Sequence, residues 1–270
     1  MPSVAASIVT SRTNPRVKQL RAACAGNARL SGGLVALEGE HLLLEAVRSG
    51  TPLHTVFVSA ERDLPAALAA QLPESTELVR LAADVFGSAV ETPSPQGLAA
   101  LFMPPQRRLQ DALTGTPLLL VAAGVQDPGN LGTLIRSAEA FGATGLLTTP
   151  GTVSPWNQKA LRASVGSIFR LPVVSVTTAE LAALRPLGIR LLAAVGSSAS
   201  TPPLPAYSAE LQLPCALLIG NEGAGLAPEY LALADATITI PCPGPVESLN
   251  AAVAGSLLLY EAARQREAHR

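Results

Sequence analysis

From Pro117 onward the chain alternates short apolar blocks with stretches whose apolar residues recur at helical spacing. The blocks LLLVAAGV (118–125), TGLLTT (144–149), FRLPVVSV (169–176), IRLLAAVG (189–196), CALLIG (215–220) and ATITIP (236–241) predict strands. Helices are predicted at Leu131–Phe141, around Trp156–Arg162, at Ala179–Leu184, near Pro228–Ala234, and from Leu249 to about Arg266. Strands this apolar, separated by helices, make an α/β fold: a mostly parallel sheet with helices on both faces. Such sheets bind ligands beyond the carboxyl ends of their strands. The loops after Val125, Gly196, Gly220 and Ile240 are therefore the places to look for chemistry.

Ahead of this lies a smaller α/β pattern over 1–103. GLVALEG, LHTVFVS, TELVRLA and GLAALFM read as strands, and EHLLLEAVRSG as a helix closed by Gly50. Asn14-Pro15 is a helix start with proline at the first helical position. Residues 104–116, PPQRRLQDALTGT, have the composition of a linker, leaving 117–270 as the second domain.

Composition excludes several classes. Charged residues make up only 14% of the chain, against roughly 25% in ordinary soluble domains, which points to buried subunit surface. The longest apolar stretches, such as Pro117 to Val125, fall short of the ~18–20 residues of a membrane helix. MPSVAASIVTSR carries no basic segment ahead of an apolar core, so no signal peptide is predicted. The cysteines (Cys24, Cys215, Cys242) are scattered, as in a reducing cytoplasm, and neither they nor His41, His54 and His269 have metal-ligand spacing. Net charge is −1, yet the first stretch holds Arg12, Arg16, Lys18, Arg21 and Arg29 with no acid before Glu38. A solvated basic arm and a phosphate-contacting arm both fit that pattern.

Three loops carry candidate chemistry. In VQDPGNLGTLIRSAEAFGA, Asn130 stands at an expected N-cap, and Arg136 lies on the face opposite Leu131, Leu134 and Ile135. Helical side chains lean toward the N-terminus, so a long arginine can reach back to the mouth that Asn130 lines. LLIGNEGAGL is no dinucleotide fingerprint: its glycines run in reverse order, and Glu222 would repel a phosphate. Its glycines instead allow close backbone approach. In PCPGPVESLN, prolines stiffen the backbone and leave amides only at Cys242, Gly244, Val246 and beyond. Such a loop presents fixed polar atoms to a flat heterocycle at little entropic cost. Ser248 then stands at an expected cap, with Asn250 in the first turn of a helix rich in Ala and Gly.

In this order, QDPGNLGTLIRSAEAFGA, LLIGNEGAGL and IPCPGPVESLNAAVAGSLLLYEA closely resemble the three motifs of the SpoU/TrmH family, RNA ribose 2′-O-methyltransferases of the SPOUT superfamily. KALRASVGSIFRLPV (159–173) is similar to the family's middle segment, and LEGEHLLLEAVRSG with SPQGLAALF resembles its substrate-binding domain. The resemblance implies S-adenosylmethionine as cofactor, a C-terminal trefoil knot, and a homodimer joined through the last helix. It implies an RNA partner, with ribosomal RNA ahead of transfer RNA, and gives the basic arm an RNA-binding role. It further implies that Asn130 orients the 2′-hydroxyl and that Arg136 clamps phosphate and steadies the developing alkoxide. The resemblance likewise implies that Ser248 and Asn250 help hold the substrate and that Glu222 positions the catalytic groups. Main-chain cofactor contacts fall on Gly196, Gly220, Ile240 and Leu249. The alternatives are an RNA-binding member of the same fold without activity, which intact Asn130, Arg136, Glu222 and Asn250 oppose, and a nicotinamide oxidoreductase, which lacks its glycine fingerprint.

Overall fold

The computed structural model describes residues 7–196, 202–245 and 248–269. Its strands are β1 (Val35–Glu38), β2 (Leu53–Ser59), β3 (Glu77–Leu81), β4 (Leu98–Phe102), β5 (Leu118–Ala122), β6 (Gly145–Thr148), β7 (Val173–Ser175), β8 (Arg190–Ala194), β9 (Leu204–Pro205), β10 (Cys215–Ile219) and β11 (Ala236–Thr239). The helices are α1 (Pro15–Cys24), α2 (Ala28–Ser31), α3 (Glu40–Arg48), α4 (Ala66–Ala69), α5 (Ala83–Gly87), α6 (Pro128–Ala140), α7 (Gln158–Ser164), α8 (Ser167–Arg170), α9 (Thr178–Ala182), α10 (Pro228–Leu233) and α11 (Ala251–Glu267). They form two compact units, Met1–Gln106 with Trp156–Phe169, and Arg107–Pro155 with Arg170–Arg270.

The second unit is built on a sheet ordered β7-β6-β5-β10-β8-β11-β9. All of its strand pairs are parallel, as continuous apolar blocks covered on both faces require. Leu119, Val121, Leu191, Ala216 and Leu218 lead one core layer. On the sheet, α11 lies against α6 because Gly255 has no side chain: a Cβ there would stand 2.4 Å from Leu134 Cδ2. Beside it, the hydroxyls of Ser137 and Ser256 share a hydrogen bond of 2.7 Å.

At the far end of α11 one arginine ties several carbonyls together. Arg266 donates to the carbonyls of Thr116 (2.7 Å), Pro117 (3.0 Å), Leu211 (3.0 Å) and Leu213 (2.9 Å). Bonds from a charged donor contribute more than neutral ones, and removing it strands its acceptors. Arg266→Ala is expected to lower unfolding free energy by about 2 kcal/mol, read as a lower urea midpoint. Arg266→Lys, a point charge without the planar fork, should recover less than half.

The first unit has a mixed sheet ordered β1-β4-β2-β3, over a core that includes Leu20, Phe57, Phe86 and Leu101. The helix start expected at Asn14-Pro15 is met: within the basic stretch, Pro15–Cys24 is a helix with Val17, Leu20 and Cys24 buried, because those apolar residues recur at helical spacing. Trp156–Phe169 completes this unit from far along the sequence. The Trp156 and Phe169 rings meet Phe102 edge-on at 5.7 and 5.8 Å. Gln158 Nε2 donates to the Ala36 carbonyl on edge strand β1 at 2.8 Å.

Other differences are local. Strand β7 starts at Val173, since residues 167–170 coil into α8 and Pro172 interrupts the block. Residues 109–112, expected in a linker, form a 3-10 turn whose Ala112 is buried and stands 2.4 Å from where a Gly145 Cβ would be. Among the described residues, no helix is long and apolar enough to cross a membrane, and no His/Cys/Asp/Glu group could hold a metal ion. All three cysteines are free, and burial pushes the Cys24 thiol up to about 12.

Candidate functional site

At the carboxyl ends of β8, β10 and β11 lies a cleft of about 400 Å³, within the ~300–1,000 Å³ of small-molecule sites. Ile219, Ile238, Ile240 and Leu249 supply apolar surface, while the glycine loop 220–225, Gly196 and Cys242 bring main chain to the cavity. Ser248, Ala251 and Ala254 close it from the start of α11. All four residues expected to make main-chain contacts, Gly196, Gly220, Ile240 and Leu249, line it. Apolar walls at strand ends, exposed main chain and Glu222 suit a flat heterocycle that carries a cation. Val246, one of the amides expected to be free in the proline-rich loop, lies outside the described residues.

Three side chains connect the three loops. Asn250 is the N-cap of α11: its Oδ1 accepts from the amides of Ala252 (2.9 Å) and Val253 (3.2 Å). Its Nδ2 is thereby turned outward and donates to Asn130 Oδ1 at 3.1 Å. Asn130 Nδ2 in turn donates to Glu222 Oε1 at 2.9 Å. The amides of Gln126 and Asp127 reach the same carboxylate at 3.4 Å each. With Oδ1 accepting from Asn250 and Nδ2 donating to Glu222, the Asn130 amide has one orientation and keeps a second N–H and a second lone pair.

Glu222 is held ionised. Partial burial pushes its carboxyl up, but the bonds from Asn130 and from backbone amides outweigh it and leave it below the usual glutamate range. A depressed folded-state value gives stability that is complete above the unfolded value and lost as pH falls through the folded one. The thermal midpoint of Glu222→Gln should therefore lie below the parent's by a constant gap from neutral pH down to the ordinary glutamate value, and the gap should shrink below it. A gap that widened on acidification would contradict this assignment.

Two cap assignments differ from expectation. Asp127, not Asn130, caps α6, because Pro128 starts the helix three residues early and Asp127 Oδ1 accepts from the Asn130 amide at 2.8 Å. Asn250, not Ser248, caps α11. In both cases the cap's side-chain oxygen reaches the third residue beyond it. Arg136 is exposed on α6 and does not line the cleft; among the described residues its guanidinium has no hydrogen bond or ion pair. Of the basic residues near the N-terminus, Arg12 pairs with Asp84 (3.1 Å) and Arg16 with Glu77 (2.7 Å). Arg21 donates to the carbonyl and hydroxyl of Ser88. Lys18 and Arg29 are exposed, with no such partner among the described residues. Sequence reasoning passed over Asn221, although an Asn behind a strand-end glycine is a turn former.

Residues 117–260 match the SpoU rRNA Methylase family, and residues 14–100 match the MRM3-like substrate binding domain. The chain is 33% identical to the Bacillus subtilis 23S rRNA (guanosine(2553)-2′-O)-methyltransferase RlmP, with 93% of this chain and 97% of that protein covered. It is 34% identical to the 23S rRNA (uridine(2479)-2′-O)-methyltransferase of Streptomyces viridochromogenes, over 97% and 93% of the two chains. Its fold superposes on the crystal structure of the SpoU methyltransferase AviRb from Streptomyces viridochromogenes in complex with AdoMet, with a TM-score of 0.84 and 30% identity. That superposition covers 95% of this chain and all of the other (100%).

Proposed function

We infer that this chain, which belongs to the SpoU rRNA methylase family, transfers a methyl group from S-adenosylmethionine to a ribose 2′-hydroxyl of ribosomal RNA. The observation that carries the reading is the hydrogen-bonded chain Asn250–Asn130–Glu222, whose Glu222 lines the strand-end cleft. Ribose methylation mapped in ribosomal RNA from a strain lacking the protein, against its parent, tests it. One 2′-O-methyl group should disappear; an unchanged map would sink the reading.

When bound, S-adenosylmethionine supplies the electrophilic methyl group; Gly196, Gly220, Ile240 and Leu249 would hold it through main-chain atoms. The protein's own task is placement. Asn130, its amide fixed at both ends, orients the hydroxyl. Arg136 cannot be the base, because a guanidinium stays protonated in proteins. It clamps an RNA phosphate through its planar fork and steadies the oxyanion. Ser248, in the cleft wall, holds the ribose. Asn250 acts through Asn130, since its own oxygen is committed to the α11 amides.

On the N-terminal unit, Lys18 and Arg29 meet RNA, beside a groove floored by Ala22, Ala25 and Leu30. Arg12, Arg16 and Arg21 take the supporting role that their internal partners give them. Removing one phosphate-binding cation reduces the salt slope of RNA binding by about 0.7–0.9. The Lys18→Gln, Arg29→Gln double variant should weaken RNA binding about equally for unrelated sequences and flatten log K against log salt by about 1–2. An unchanged slope would remove both residues from the interface.

The active form is a homodimer. Val253, Leu257 and Tyr260 are exposed along one side of α11, with Phe141 edge-on to Tyr260 at 5.8 Å, an uncovered apolar stripe of the kind that marks interfaces. A monomer in sedimentation equilibrium at micromolar concentration would contradict this. Membership of this family also supports a trefoil knot at the C-terminal end, with which the packing of α11 on α6 and β10 agrees. Pulling the termini apart should then give a contour length shorter than that of an unknotted chain. With its thiols unpaired, it acts in the reducing cytoplasm, which fractionation of the native cells checks.

A further inference from the structure

Asn221 uses every polar atom it has. Its backbone N–H donates to the Gly225 carbonyl at 2.9 Å, and its carbonyl accepts from the Gly225 amide at 3.0 Å. Its side-chain Oδ1 accepts from the amides of Gly223 (2.9 Å) and Ala224 (3.0 Å). Its Nδ2 crosses to the other loop and donates to the Gly124 carbonyl at 3.0 Å. A turn needs only the first of these side-chain functions; the bond to Gly124 does something else. Gly124 opens the loop whose next residues, Gln126 and Asp127, present their amides to Glu222, and that loop leads into Asn130. Two successive side chains, Asn221 and Glu222, thus fasten the loop after β10 to the loop after β5.

We propose that Asn221 is a positioning residue for methyl transfer, whose amide oxygen shapes the cofactor wall and whose amide N–H fixes the loop that presents Asn130. Each of its polar atoms already has a partner within the two loops, and through them it acts on its neighbours. The inference rests on the methyltransferase reading above and adds a division of labour within one side chain. Only an amide serves both halves. An aspartate keeps the acceptor but turns an oxygen toward the Gly124 carbonyl; a serine accepts from the turn amides but is too short to cross.

The test separates the halves. Asn221→Asp and Asn221→Ser should bind S-adenosylmethionine, titrated by calorimetry, within about threefold of the parent, while kcat falls about tenfold, the scale of one lost hydrogen bond. Asn221→Ala should lose about tenfold in both. The RNA is ribosomal RNA from a strain lacking the protein, with tritiated methyl transfer as the readout. The serine variant keeps the test alive if the added charge prevents the aspartate variant from folding. Parental kcat in both the aspartate and serine variants would overturn the proposal, as would a parallel loss of cofactor affinity and kcat in all three variants, which marks a purely structural residue. A parent protein that binds cofactor but methylates none of this RNA would overturn the methyltransferase reading, and this proposal with it.

Discussion

Arg136→Ala is expected to remove methyl transfer almost completely, by about 10²–10³ in kcat, the scale of losing one preorganised charge-stabilising donor. Cofactor affinity should not change. The guanidinium is exposed and partnerless among the described residues and takes no part in the cleft wall. Its loss therefore frees no buried acceptor and opens no cavity, so thermal stability should stay within about 0.5 kcal/mol. An arginine so placed has no structural reason to be there, and the proposed reaction gives it one: a phosphate beside a hydroxyl that is losing its proton. Arg136→Lys keeps the charge but not the bidentate geometry and should recover only part of the rate. Single-turnover transfer and cofactor calorimetry, measured side by side, decide the matter. Simultaneous loss of both would place Arg136 in the cofactor site and remove the role assigned to it.

The second large effect is read on the cofactor. At Gly220 a Cβ would stand 2.3 Å from the Gly225 carbonyl carbon and 2.4 Å from the Leu226 nitrogen. Both are backbone atoms, and the Asn221–Gly225 pair of hydrogen bonds closes the turn that carries them. The loop cannot yield without opening, and opening it moves one wall of the cleft. Gly220→Ala should weaken S-adenosylmethionine binding by about a hundredfold, the cost of misplacing a binding surface by about 1 Å. Gly223 is the control. It lines the same cleft, but a Cβ there would meet only Asn221 Oδ1, at an ordinary 3.6 Å. Gly223→Ala should bind within a few-fold of the parent, and equal losses at the two positions would refute the steric argument.

The strand blocks of the second unit were legible because strands buried on both faces must be continuously apolar, and β5 and β10 are fully buried from end to end. The cleft was legible for a related reason, since parallel strands place their outgoing loops on one edge. What pattern could not give was the order of the strands: β10 lies between β5 and β8, and no local property of CALLIG says so. Cap positions slipped by two or three residues, because Asp127 and Asn130, like Ser248 and Asn250, are comparable caps by residue type. Only the competing bonds of Asp127 and Ala252 decide between the candidates. The basic residues show the same limit: Arg12 and Arg29 read alike in a sequence, yet one faces Asp84 and the other faces water.

The Trp156–Phe169 segment bears on how target choice can be inherited. The N-terminal unit takes its edge-strand cover at Ala36 and its aromatic lid over Phe102 from a stretch encoded inside the methyltransferase half. A gene fusion that joined the first hundred or so codons to another catalytic half would leave that carbonyl bare and that ring wet. A single crossover between the two halves would therefore cost the N-terminal unit part of its packing, whereas recombination on both sides of the 156–169 segment would keep it.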